Sequence, residues 1–276
     1  MSGFEAAAGQ VAVVTGGGSG IGKALAADLS GRGMQVVIAD IEPGALAVAA
    51  AETGAAAAIA CDVSDEASVA ALAAEVVARF GRVDLVCANA GVASAGPIAA
   101  MTGADWRWLL GVNVHGLIHT MTAFLPHLRA APGGGWLAIT ASEAGFHPGP
   151  GIGGYCVSKY AVVGIGETLA AELAAEGAPV GVTLLCPGPV STRLGSASRN
   201  RPDAGLRGLA DRNLEATDEG RGLRWIAPAE VARRLVGSMA RGDLYVFTHP
   251  ELQAPFAERV AAVEAAYAVA AGEAKG

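Results

Sequence analysis

The stretch VAVVTGGGSGIGKALAADLSGRG, residues 11 to 33, narrows the possible folds more than any other part of this chain. Its β-branched run from Val11 to Thr15 reads as a strand, GGGSGIG (16 to 22) as a turn, and the Ala- and Leu-bearing segment after it as an amphipathic helix. The turn does not fit Gly-x-Gly-x-x-Gly. It fits Thr-Gly-x-x-x-Gly-x-Gly, with Thr15, Gly16, Gly20 and Gly22 in those places and Gly18 and Ser19 between them. Missing side chains let the backbone approach a pyrophosphate, whose charge then faces a helix N-terminus. A merely tight loop would be written the same way, and the position between strand and helix favours the phosphate reading.

The same rhythm continues along the chain. MQVVIAD (34 to 40) is a second strand ending in Asp40, eighteen residues past Gly22. An acid at that distance accepts the adenosine ribose hydroxyls and repels a 2′-phosphate, which selects NAD over NADP. No Arg or Lys lies inside the glycine turn or directly after Asp40, and Lys23 is the nearest basic residue. A helix over 44 to 53 leads to a strand over 55 to 63, where Asp62 and Val63 could flank an adenine. A helix over 65 to 80 leads to VDLVCA (83 to 88), then Asn89, Ala90 and Gly91. A long helix over 104 to 130, a strand over 136 to 140, a helix from 153, a strand over 179 to 188, a helix over 228 to 241, the strand LYVFT (244 to 248) and a C-terminal helix over about 251 to 272 complete the chain. This alternation predicts an α/β fold over residues 1 to 276. It is one Rossmann-type, doubly wound parallel sheet of about seven strands with helices on both faces, and ligands sit beyond the carboxyl ends of the strands. Residues 15 to 22, 40, 62 to 63, 89 to 91 and 142 all fall at such ends.

The pattern SEAGFHPGPGIGGYCVSK (142 to 159) sets Ser142, Tyr155 and Lys159 near that edge. On a helix, Tyr155 and Lys159 share a face. A phenol of pKa near 10 can act as a base near neutrality if a nearby cation lowers it by about two to three units, roughly 3 to 4 kcal/mol of differential stabilisation. A packing tyrosine beside a solvated lysine would give the same four letters, so the rest of the chain decides. Ser142, after a strand end, could hold the oxygen that gains or loses the proton.

With 276 residues, 52% of them hydrophobic, the chain can bury a sizeable core. A net charge of -7 without a basic block argues against nucleic acid or an anionic membrane as partner. The longest apolar stretches look too short to span a bilayer, and MSGFEAAAGQ carries no secretory pattern, so a cytoplasmic protein is expected. Cys61, Cys87, Cys156 and Cys186 form no Cys-x-x-Cys pair and read as buried reduced thiols. Asn113 lies on the helix over 104 to 130 and must be hydrogen-bonded, either to a water chain or to backbone. His115 and His119 stand four apart there, but HGLIH lacks the glutamate of the zinc motif, so no metal is expected and packing or a subunit contact is the reading. Residues 193 to 227 are polar and Arg-rich with interspersed Leu206, Leu209, Leu214 and Trp225, the composition of a lid, a binding loop or a plain surface loop. They allow a bulky apolar alcohol or one bearing a carboxylate.

Taken together, TGGGSGIG (15 to 22), Asp62-Val63, NAG (89 to 91), Asn113, Ser142, YCVSK (155 to 159) and PGPVST (187 to 192) resemble the short-chain dehydrogenase/reductase family over about residues 8 to 248. The resemblance implies a catalytic set of Asn113, Ser142, Tyr155 and Lys159, with Lys159 also holding the nicotinamide ribose. It implies that Asn89 and Gly91 line the cofactor cleft, that Ile21 packs near the phosphates, and that Val190 and Thr192, with Pro187 and Gly188 before them, meet the nicotinamide. The expected activity is NAD-dependent interconversion of a secondary alcohol and a ketone. LYVFTHPE (244 to 251) is similar to a subgroup acting on bulky aryl or alicyclic alcohols. Such proteins look most often like homotetramers, possible also as dimers, joined through helices corresponding to 104 to 130 and 155 to 176. Two other readings differ in class. One is a non-catalytic NAD-sensing regulator, against which the intact Ser142, Tyr155 and Lys159 argue; the other is a sugar-nucleotide epimerase or dehydratase, which needs a larger substrate domain than the tail after 193 offers.

Overall fold

Strands and helices alternate as predicted in the computed structural model of the chain, which describes residues 3–202 and 208–273. β1 (Val11–Thr15), α1 (Gly20–Gly31), β2 (Gln35–Asp40), α2 (Pro43–Thr53), β3 (Ala57–Ala60), α3 (Glu66–Phe80) and β4 (Leu85–Ala88) make the first half. The second half comprises α4 (Gly103–Leu110), α5 (Gly116–Arg129), β5 (Gly135–Thr140), α6 (Gly153–Glu176), β6 (Val180–Cys186), α7 (Asp218–Arg221), α8 (Pro228–Arg241), β7 (Tyr245–Phe247) and α9 (Gln253–Glu273). Among the described residues seven strands pair in parallel in the order β3-β2-β1-β4-β5-β6-β7. The order reverses between β1 and β4, so the connections leave on opposite sides there and open a crevice at the carboxyl ends.

Successive residues of β1 explain why the strands read as apolar throughout. Val11 and Val13 join one core with Val37, Val86, Leu137, Phe124 and Leu173, while Ala12 and Val14 join the other with Ile38, Leu85, Leu25, Leu29 and Leu235. Both faces are covered by helices, and a sheet buried on both sides has no polar alternation to show. All four cysteines are buried and free.

Three expectations change. First, the helix read over 104 to 130 is α4 and α5 joined by a π-helical turn, Gly111–His115, which carries Asn113. Second, that continuous helix, Gly103–Arg129, is long and apolar enough by length and composition to cross a membrane, contrary to the reading that every apolar stretch is too short. Here it packs against α3 and α6 as part of the helical layer. Third, the segment 193 to 227 folds into short turns, Leu194–Asn200 and Leu214–Ala216, and α7; residues 203–207, with Leu206, lie outside the described ones. The terminal helix α9 touches the body near its start, where the Phe256 ring meets Phe146 edge-on and Arg259 stacks over Tyr160. Further along, Val263, Tyr267 and Val269 are exposed.

Candidate active site

The strand ends at the crevice are tied to one another by short polar side chains. The Thr15 hydroxyl accepts the N–H groups of Asn89 (3.0 Å) and Ala90 (3.2 Å), the Asn89 amide donates to the Thr15 (3.1 Å) and Gly16 (3.3 Å) carbonyls, and the Thr140 hydroxyl donates to Asn89 Oδ1 (3.1 Å). One asparagine thus locks β1, β4 and β5 together. Above them the glycine turn takes a shape that side chains would prevent. Gly16 and Gly20 have φ of +65° and +53°, and a β-carbon on Gly22 would lie 2.2 Å from the Gly16 carbonyl oxygen. The Gly18 N–H donates to Asp40 Oδ2 at 2.9 Å, and the other Asp40 oxygen accepts the Glu42 N–H at 3.0 Å.

These elements frame a cavity of about 480 Å³. Of the residues singled out from sequence, Gly16, Ser19, Gly20, Ile21, Asp40, Asp62, Val63, Asn89, Ala90, Gly91, Tyr155, Lys159, Pro187 and Thr192 line it. Ser19 precedes the first turn of α1, whose N-terminus faces this space without an acidic residue in its first turn. Such an end favours an anion. A cradle that only absent side chains keep open, with an acid beyond it at Asp40, fits a dinucleotide.

Four side chains come together at the opposite end. Tyr155 and Lys159 open α6 on one face, with the Lys159 ammonium 5.7 Å from the Tyr155 ring centroid and donating to the Thr140 carbonyl at 2.8 Å. The Ser142 side chain stands beside the Tyr155 phenol; its hydroxyl donates to the Pro187 carbonyl at 3.5 Å and its oxygen accepts the Ala144 N–H at 3.2 Å. Asn113 takes the backbone option rather than the water option. Its Oδ1 accepts the Val92 N–H (2.8 Å), and its amide donates to the Val92 carbonyl and the Ser158 hydroxyl (both 2.9 Å); Ser158 in turn donates to the Tyr155 carbonyl at 2.7 Å. Asn113 therefore fixes the loop after β4 against the first turn of α6. Gly91 sits where the two meet: a β-carbon there would be 3.3 Å from Asn113 Oδ1 and 3.7 Å from Lys159 Nζ.

The electrostatics differ from the sequence expectation. Burial is the largest effect on both groups, pushing the Tyr155 phenol up to about 12 and the Lys159 ammonium down to about 8. Ser142 opposes that rise in the phenol, and the ammonium donates to the Thr140 carbonyl.

Other predicted residues stand back from the cavity wall. Thr15, Gly18, Gly22 and Asn113 shape or brace it from behind, and Ser142 meets it only beside the Tyr155 phenol. Gly188 packs on His249, and Val190 is buried against Ile226 in a short bridge. His119 is a packing residue, its ring nitrogen 2.9 Å from the Val63 carbonyl. Sequence reading missed Glu42, Arg107, Trp108, Arg193, Leu194 and Arg199, which all line the cavity. Trp108 carried a signal in the apolar spacing of α4. The lid arginines were marked only as part of the Arg-rich segment 193 to 227, because the contacts that bring them to Glu42 span more than 150 residues.

The chain is similar to known proteins along most of its length. A model of the short chain dehydrogenase family matches residues 10–203. A D-threitol dehydrogenase of Mycolicibacterium smegmatis is 37% identical over 232 residues, covering 83% of this chain and 85% of that protein. A 1-deoxy-11-beta-hydroxypentalenate dehydrogenase of Streptomyces avermitilis is 33% identical over 248 residues, 88% of this chain and 85% of the relative. Among solved structures, a short chain dehydrogenase/reductase from Burkholderia phymatum in complex with NAD superposes with a TM-score of 0.85 at 35% identity, covering 95% of this chain and 96% of that one. A glycine cradle, an acid after β2 and a Ser142-Tyr155-Lys159 cluster at one sheet edge, matched by the family model over residues 10–203, lead to one assignment: the chain belongs to the short-chain dehydrogenase/reductase family.

Proposed function

We propose that this enzyme interconverts a secondary alcohol and a ketone with NAD, using Tyr155 as the group that exchanges the hydroxyl proton. Family membership and the likeness to a structure in complex with NAD support the broader statement, that the chain is an NAD-dependent oxidoreductase acting on CH–OH groups. The finer reading rests on one observation: Tyr155 and Lys159 line the same cavity as the glycine turn, with Ser142 beside the phenol. NAD, when bound, would supply the ring that accepts hydride, held by the glycine turn and Asp40.

The side chains divide the remaining work. Tyr155 gives its proton to the carbonyl oxygen in reduction and takes one from the hydroxyl in oxidation. A phenol near 12 suits the acid role as it stands, and the base role depends on a neighbouring positive charge. Ser142 donates to the same oxygen and holds the carbonyl in line. Lys159 keeps a cation at the floor of the site, and Asn113 holds the Val92 loop and the Tyr155 turn in register. Trp108, Leu194 and Ala197 give the cavity an apolar wall, which supports a bulky aryl or alicyclic alcohol as substrate. Assembly into a homotetramer, or a dimer, through the helices over 104 to 130 and 155 to 176 is part of the same proposal.

A panel of secondary alcohols run with NAD and with NADP, followed by absorbance of the reduced nicotinamide, tests this reading. We expect NADH formation with bulky alcohols and a weaker response with NADP. No reduction of either cofactor across a broad panel would favour a regulator that binds NAD without turning over.

A further inference from the structure

The lid does not stop above the catalytic tyrosine. After Thr192 it folds along the cavity to the far end, where Glu42, two residues past Asp40, receives it. Arg199 reaches Glu42 Oε1 through both Nη2 (2.6 Å) and Nε (3.0 Å), the Asn200 amide donates to the same oxygen at 2.9 Å, and Arg193 stands 4.0 Å from Oε2. The Arg199 guanidinium is anchored on the lid side as well, donating to the Ser196 carbonyl at 2.7 Å and the Arg193 carbonyl at 3.3 Å. Asp40, Glu42, Arg193, Arg199 and Asn200 line one cavity. Read as letters, this end of the site holds a single acid and no cation; the folded chain brings two acids and two arginines to it.

The arrangement bears on the choice between dinucleotides, a role that rests on the NAD dependence proposed for the enzyme. Guanidinium groups are strong partners for phosphate, which they bind through paired N–H donors. Two of them near the acid that reads the ribose would ordinarily recruit a 2′-phosphate. Among the described residues their ion pairs go to Glu42 and not to Asp40, whose oxygens each accept one backbone N–H, from Gly18 and Glu42. We propose that Glu42 is a specificity-determining residue: by occupying Arg199 and facing Arg193 it withholds both cations from a 2′-phosphate, so that preference for NAD depends on Glu42 as well as Asp40. With Glu42 ionised the two acids and two arginines sum to zero charge, and without it to plus one. The Glu42 carboxyl is held below its ordinary value chiefly by Arg199, so it stays charged at neutral pH.

Calorimetric titration of NAD, NADP and adenosine 2′,5′-bisphosphate into wild type, Glu42→Gln and the triple variant Glu42→Gln/Arg193→Met/Arg199→Met tests this without recourse to turnover. A thermal melt establishes that each variant is folded, and Glu42→Ala serves if the glutamine variant is not. Glu42→Gln should tighten NADP relative to NAD by about fivefold or more, tighten the bisphosphate in parallel, and lose that gain in the triple variant. A smaller change, or a gain that survives removal of both arginines, overturns the role of Glu42. Wild type that fails to bind NAD, or that prefers NADP, would instead overturn the cofactor reading itself.

Discussion

The Lys159 ammonium lies 5.7 Å from the centroid of the Tyr155 ring, one helical turn along α6. In this geometry burial raises the phenol to about 12 and lowers the ammonium to about 8. In the proposed mechanism oxidation needs the phenol deprotonated and reduction needs it protonated, so the two directions should respond oppositely to pH. The oxidation rate should climb with rising pH and the reduction rate should fall. Lys159→Met removes the cation 5.7 Å from the Tyr155 ring centroid, so the rising limb should move to higher pH and kcat/KM for oxidation should drop by roughly 10²-fold or more near pH 7. Profiles of kcat/KM in both directions check this; an unshifted limb in the variant would separate the lysine from the acid–base step.

Asn113 binds both backbone groups of Val92, a buried residue, and it also reaches Tyr155 through Ser158. Asn113→Ala strands two buried polar groups, at about 1–3 kcal/mol each when unpaired. The melting temperature should fall, and kcat should fall more than NAD affinity does, because the displaced element is the turn bearing Tyr155. Loss of stability with unchanged kcat would restrict Asn113 to a structural role.

Two glycines of α1 should behave in opposite ways. A β-carbon at Gly22 meets the Gly16 carbonyl at 2.2 Å, whereas one at Gly31 meets nothing within 4 Å. Gly22→Ala must open the cradle and should abolish NAD binding in a calorimetric titration. Gly31→Ala should leave binding intact. Comparable affinity in the two variants would contradict the reading of 16 to 22 as the phosphate turn.

Glu143, next to Ser142, is buried, its Oε1 has no hydrogen-bond partner among the described residues, and burial lifts its carboxyl to about 7 from 4.5. Its folded-state pKa is raised, so the folded form holds its proton while the unfolded form releases it between 4.5 and 7. Stability is therefore lost as pH rises through that window, and the loss is complete above it. Glu143→Gln should raise the melting temperature above pH 7 by about 3 °C or more and converge with wild type below pH 4.5. Thermal melts at pH 4.5 and 8 measure the difference.

Much of this site was legible because its parts are local. The Thr-Gly turn, the acid ending β2, and a tyrosine and lysine four apart are short patterns whose geometry comes from one strand or one helix, and α6 begins at Gly153 as its spacing indicates. The strand alternation then fixed which edge collects them. What stayed hidden depends on packing between distant segments. A π turn at Asn113 adds no letter to the sequence, and its hydrogen bonds to Val92 connect residues 21 apart. Likewise Arg199 reads as one more polar loop residue until the lid closes on Glu42. The edge strands β3 and β7 came out shorter than their apolar runs, since each has a neighbour on one side alone to extend its ladder.

The proposed catalysis turns on the Tyr155 hydroxyl exchanging the proton of the reacting oxygen. Tyr155→Phe removes that hydroxyl and keeps the ring. Turnover of the best alcohol and calorimetric binding of NAD, measured on the same preparation, should show oxidation reduced by roughly 10³-fold or more while NAD still binds. Turnover within a few-fold of wild type would contradict the account.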